Sequence, residues 1–128
     1  MRDIELEMKI QKSLNEGNNV WVVGDVHGFN QTLRSLVAKL DIKTGDYVVL
    51  LGDLIDRGPD SYDVIQFVKN SPNMATVKGN HEKMMAKVFS LSRLEKPDLK
   101  ISTWFYNGGL STATSYINAY TDSSGNEN

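Results

Sequence analysis

No cysteine occurs in the 128 residues. Disulfides, thiolate metal sites and cysteine nucleophiles are therefore excluded, and a reducing cytoplasm is the expected location. An excess of basic charge is also lacking. The formal net charge is -2, which leaves no electrostatic footprint for DNA or RNA, so no nucleic-acid partner is expected. Long apolar runs are missing too. Residues 1–10 alternate charged and apolar side chains, unlike the uninterrupted apolar stretch of a signal peptide. Nowhere does an apolar stretch approach the ~20 residues that span a bilayer, so no membrane partner is expected. No internal repeat is visible. Low complexity is confined to the polar residues 121–128, which read as a disordered tail.

What is present is ordinary globular composition, 40% hydrophobic and 23% charged, in a chain long enough for one core. Near the N-terminus, Ile4, Leu6, Met8 and Ile10 alternate like a strand, while Leu6, Ile10 and Leu14 fit a helical stripe. Segment 1–17 stays open between the two. From there the pattern is regular. Val20 to Val23, Tyr47 to Leu51 and Met74 to Val77 are short apolar runs that read as buried strands. Between them, Leu33, Leu36, Val37 and Leu40 predict a helix over 30–40, and Val64, Ile65 and Val68 predict one opening at Pro59 or Asp60. A helix over 81–91 follows, with Met84, Met85, Val88 and Phe89 on one side. Pro97 or Asp98 opens another through Phe105, stopped by Gly108-Gly109, and a last helix is expected over 111–119. Strands alternating with helices about every thirty residues are consecutive βαβ units. The expected fold is α/β with a mostly parallel sheet, whose strand-to-helix loops gather at one edge, where open α/β sheets bind ligands.

Those three loops hold the unusual chemistry. They are Gly24-Asp25-Val26-His27-Gly28, Gly52-Asp53-Leu54-Ile55-Asp56-Arg57-Gly58-Pro59 and Gly79-Asn80-His81-Glu82. Each opens with a glycine, which permits close backbone approach. Oxygen ligands mixed with imidazole suit Mn, Fe or Zn better than Ca or Mg. Singly, each loop has a bland reading. Aspartate favours turns and helix caps, as Asp60 and Ser61 are expected to do, and Asn80 with Glu82 could simply cap a helix. All three in order, each between a strand and a helix, point to function. The chain's two histidines both lie inside them. Trp21, Met84 and Met85 read as core. Trp104, Phe105 and Tyr106 read as packing or as the wall of a substrate groove. The remaining lysines and arginines read as solvated surface.

The three motifs together resemble the phosphoprotein phosphatase branch of the calcineurin-like metallophosphoesterases, and within it the phage and bacterial Ser/Thr protein phosphatases. Val20-Trp21-Val22-Val23, Glu82-Lys83-Met84-Met85 and Asn107-Gly108-Gly109 share the likeness, which covers about residues 18–110. The resemblance implies two divalent metal ions, manganese foremost, with iron or zinc as alternatives. Asp25 and His27 would bind the first, Asp53 would bridge both, and Asn80 would bind the second. A hydroxide between them would attack phosphorus in line. Arg57 would grip the phosphate with its rigid fork. His81 would protonate the departing alkoxide, and Asp56 would hold that imidazole. The substrate would be a phosphoprotein or another phosphoester.

The resemblance further implies two more histidines well downstream and, usually, a second phosphate-binding arginine. No histidine follows His81, and the later arginine is Arg93. The second metal site is therefore expected to be incomplete. The chain reads as the N-terminal half of the family's sandwich: a leading segment 1–17, a shortened metallophosphoesterase domain 18–120 and a tail 121–128. A missing C-terminal half, or self-association through an uncovered sheet face, is the expected consequence. A dinucleoside tetraphosphatase is the alternative within the superfamily, although glutamine usually stands there in place of His27 and Asp in place of Glu82. A non-catalytic metal- or phosphate-binding module is the alternative outside it.

Overall fold

The computed structural model describes residues 2–90 and 97–124. Strands β1 (Val20–Val23), β2 (Tyr47–Leu50) and β3 (Met74–Thr76) pair in that order, all parallel. Helices α2 (Asn30–Leu40) and α3 (Ser61–Lys69) make the two crossovers. Helix α1 (Ile4–Asn15) precedes the sheet; α4 (Asn80–Phe89), α5 (Pro97–Trp104) and α6 (Leu110–Ser124) follow it. The expected α/β architecture with consecutive parallel units is the one observed. Among the described residues no helix is long and apolar enough to cross a membrane.

Strand period and helix period meet on one face. The register aligns Trp21 with Val48 and Met74, and Val23 with Leu50 and Thr76. Side chains two apart share a face, so this face carries Val48 and Leu50, both fully buried. Leu33 of α2 and Val64 and Val68 of α3 close over it, joined by Val26, Leu54 and Ile55 from the loops. Trp21 and Met85 pack at the margin of this core, as expected of them. The opposite face is treated differently. Leu6 and Lys9 of α1 share a groove with Tyr47 and Ala75 near the strand starts. Towards the strand ends Val22 is 62% exposed, Leu51 52% and Val77 46%. Parallel sheets normally bury both faces, so this is an open apolar surface.

The open reading of the N-terminus resolves to a helix. The Asp3 carboxylate accepts from Leu6 N–H at 3.0 Å and caps the first turn. Glu5 and Lys9 pair at 2.9 Å across one turn, a contact worth a few tenths of a kcal/mol. The Ser13 hydroxyl donates to the Gly45 carbonyl at 2.5 Å and docks the helix beside the sheet.

Three further expectations need adjustment. Strands β2 and β3 end one residue early, although Leu51 N–H still donates to Val23 O at 2.9 Å and Val77 N–H to Leu50 O at 3.0 Å. Phe89, the last residue of α4, is 77% exposed rather than packed; its ring lies 6.3 Å from that of Trp104. Leu91 and Arg93 lie outside the described residues. The glycine pair does end the helical run that begins with α5, as expected: the backbone leaves helical geometry at Gly108 (φ 103°), and α6 opens directly after Gly109. Helix α6, however, continues to Ser124, inside the segment read as tail. Tyr116 and Tyr120 set that length, packing edge-on to Tyr62 of α3 at 5.1 and 6.3 Å.

Candidate active site

The three loops meet beyond the strand ends and are laced by their backbones. Val26 and His27 N–H both donate to Asp53 O, at 3.1 and 2.9 Å, and Gly28 N–H donates to Leu54 O at 2.8 Å. Gly58 N–H returns to His27 O at 2.9 Å. Glu82 ties the third loop to the second. Its carboxylate accepts from Asp53 N–H at 2.6 Å, Leu54 N–H at 3.0 Å and Gly79 N–H at 2.9 Å. Glu82 therefore does cap α4, but it also fixes the backbone of the second loop. Asn80 is the first residue of α4 rather than its cap.

His27, Asp53, Asp56 and Arg57 all have left-handed backbone, with φ of 46°, 50°, 73° and 73°. Non-glycine residues rarely adopt it, and each instance costs of order 1–3 kcal/mol. Among described non-glycine residues the one other case is Asp41, the C-terminal cap of α2. Strain is thus concentrated on the expected site residues. Gly52 (φ 89°) answers the glycine expectation, since a Cβ there would run into the Gly79 backbone. Gly24 does not: its surroundings are open and its φ is not left-handed, so nothing local demands glycine.

One half of the site is open. Ligand atoms of Asp25, His27 and Asp53 all lie within 4.8 Å of one another. His27 Nε2 is 3.7 Å from Asp25 Oδ2, and the Asp25 side chain is 65% exposed. His27 Nδ1 stands 2.8 Å from Ile55 O. A carbonyl only accepts, so Nδ1 carries a proton, and in the neutral ring Nε2 turns its lone pair to the two carboxylates. That tautomer lock is the usual outer support of a ligating histidine. Two carboxylates and one imidazole acceptor, converging without a donor among them, fit a divalent cation. Asp53 Oδ1 also accepts from His81 N–H at 2.9 Å, which joins the start of α4, and with it the exposed Asn80, to this cluster.

The other half is closed. Asp56 is fully buried. Its Oδ2 accepts from His81 Nδ1–H at 2.8 Å, and Oδ1 from the Thr112 hydroxyl at 2.6 Å. The Trp104 indole N–H reaches both oxygens, at 2.9 and 3.1 Å. Asp56 N–H donates to Thr112 Oγ1 at 2.8 Å and Ser61 Oγ at 3.1 Å. Ser61 is therefore no mere cap, and Asp60 makes no side-chain cap bond. The His81 ring stands edge-on to that of His27, centroids 4.7 Å apart, and links the two halves. Arg57 is exposed, and its N–H donates to Gly108 O at 3.0 Å. Trp104, 3% exposed, packs against the rings of Phe89 and Phe105, as one of its two readings expected, and in addition aims its N–H at Asp56. Its role, like those of Thr112 and Ser61, escaped sequence reasoning. The available signal was weak: a buried indole usually finds an acceptor.

An open parallel sheet with an Asp–His–Asp cluster beyond its strand ends has the form of a metal-dependent hydrolase. Residues 19–126 match the family model for calcineurin-like phosphoesterases, and the chain belongs to that family. It is 44% identical over 72 residues to serine/threonine-protein phosphatase 2 of Escherichia coli (strain K12), covering 56% of this chain and 33% of that protein. With serine/threonine-protein phosphatase 1 of Salmonella typhimurium it shares 38% identity over 112 residues, covering 85% of this chain and 46% of that protein. A crystal structure described provisionally as a diadenosine tetraphosphatase superposes with a TM-score of 0.50 at 33% identity, over 66% of this chain and 40% of that one. The chain thus spans a third to just under half of the curated relatives' length.

Proposed function

We propose that this chain carries the metal- and phosphate-binding face of a phosphoester hydrolase acting on phosphoserine or phosphothreonine in proteins. The observation that carries the reading is the convergence of Asp25, His27 and Asp53 beside the buried Asp56–His81 pair. The serine/threonine phosphatase relatives support the substrate class.

In this reading Asp25, His27 and Asp53 hold a first divalent ion, and Asp53 with Asn80 holds a second, more weakly for want of further ligands. Manganese suits the mixed carboxylate and imidazole set, as do iron and zinc. Bound ions would supply Lewis acidity at phosphorus and lower the pKa of water for attack. The protein's own groups do the rest. Arg57, exposed beside the cluster, grips phosphate oxygens bidentately. Asp56 accepts from Nδ1 of His81, so the imidazole has one orientation and Nε2 is left to hand a proton to the leaving alkoxide. As to partners, the reading is a phosphoprotein substrate together with self-association through the open sheet face.

The test is His81→Asn in the Mn2+-loaded chain. Turnover of a phosphoserine peptide should fall about 10²–10⁴-fold, the range for a positioned general acid. The loss should be much smaller for nitrophenyl phosphate, whose leaving group needs no protonation. Equal losses on both substrates would remove His81 from that role. The structural relative favours a second reading, hydrolysis of dinucleoside polyphosphates. Faster turnover of diadenosine tetraphosphate than of the peptide would establish it, and metal binding without turnover of either would leave a binding module.

A further inference from the structure

Asp56 is bound by more than His81 requires. A histidine needs one carboxylate oxygen; the second is held by side chains that arrive 48 and 56 residues later. We infer that Trp104 and Thr112 are positioning residues: they fix the Asp56 carboxylate and, through it, the His81 imidazole. The inference rests on the reading of His81 as the acid, and extends it to the corner between α5 and α6.

The hydrogen-bond accounting closes without water. A threonine hydroxyl has one proton and two lone pairs. At Thr112 the proton goes to Asp56 Oδ1 at 2.6 Å. The lone pairs receive Asp56 N–H at 2.8 Å and the Ser61 hydroxyl at 3.0 Å. Thr112 is 1% exposed and Ser61 fully buried, so no solvent can substitute. The Trp104 N–H spans both carboxylate oxygens and opposes rotation about the Cβ–Cγ bond. The corner is shaped for this. A Cβ on Gly109 would overlap the Trp104 indole ring, so glycine makes room for it. One residue earlier, Gly108 O holds the backbone N–H of Arg57. Simple packing does not require such aim. Trp21 shows that this protein tolerates an indole N–H that is buried and has no partner.

The chain's two tryptophans make the contact visible. In a 15N-labelled sample the Trp104 indole N–H should resonate well downfield of Trp21. Asp56→Asn should move the first signal and leave the second. A Trp104 signal that ignores Asp56→Asn overturns the inference. Thr112→Val keeps shape and loses the hydroxyl; Thr112→Ser keeps the hydroxyl and loses a methyl. Exchange of the His81 Nδ1–H proton should quicken in Thr112→Val and recover in Thr112→Ser, a readout independent of turnover. In the Mn2+-loaded chain, Thr112→Val and Trp104→Phe should each lower kcat on a phosphoserine peptide about 10–100-fold. KM should hold, the loss on nitrophenyl phosphate should be smaller, and Thr112→Ser should restore the rate. A serine variant worse than the valine variant would mean packing, and overturns the inference. A loss in His81→Asn without one in Thr112→Val overturns it alone. No loss in either overturns the acid reading with it.

Discussion

Asp25 and Asp56 are both carboxylates on loops that follow parallel strands, yet their surroundings are opposite. Asp25 is 65% exposed, facing His27 Nε2 at 3.7 Å, and its half of the site is organised by backbone: the lattice centred on Asp53 O and the Glu82 carboxylate. Asp56 is fully buried, and its half is organised by side chains from His81, Trp104, Thr112 and Ser61. The apolar residues leading into the open half, Val22, Leu51 and Val77, are exposed as well. The difference teaches that one half is finished by folding alone, while the other is arranged by folding and left open to a ligand.

Stability breaks this comparison most directly. Asp56→Ala orphans the buried donors of His81, Trp104 and Thr112. An unsatisfied buried donor costs about 1–3 kcal/mol, so urea unfolding should register a loss of more than about 3 kcal/mol. Asp25→Ala, in metal-free protein, should stay within about 0.5 kcal/mol of the parent, as exposed substitutions do. Similar losses for the two would erase the distinction.

Metal should narrow the gap. An ion present at 100 times its dissociation constant adds about 2.7 kcal/mol to the folded state. Mn2+ should therefore raise the unfolding midpoint, chelation should undo the gain, and Asp53→Ala should abolish it. Calorimetry should find one tight site and one weaker. Two equally tight sites would mean that side chains assigned elsewhere complete the second sphere.

The smallest effect concerns the open sheet face. Val22→Thr with Leu51→Thr replaces exposed apolar surface by hydroxyls, and should weaken self-association by about 1 kcal/mol, the scale of partial side-chain burial. Sedimentation across a concentration series reads this. A parent chain that stays monomeric throughout removes the open face as an association surface.

Much of the frame was legible from local pattern. β1 and α2 fall where apolar runs and helical spacing put them. Segment 1–17 was ambiguous because its apolar residues satisfy two periods at once. Capping by Asp3 and docking by Ser13 decided it, and neither contact is a matter of period. Helix α6 outran its expected end because the tyrosines that hold it pack on α3, far away in sequence. The Asp25–His27–Asp53 cluster was legible because its residues lie within short glycine-led motifs. The Asp56 network was not.

The sequence by itself determined the α/β alternation, the meeting of three loops at one sheet edge, and the residue types that converge there. Such properties follow from period and from short-range chemistry, which a linear string displays. Tertiary structure alone decided which carboxylate is buried and which exposed, and that His27, Asp53, Asp56 and Arg57 adopt left-handed backbone. It alone aimed Trp104 and Thr112 at Asp56. The reason is physical. A hydrogen bond between residues half a chain apart depends on how whole elements pack, and no local spacing records it.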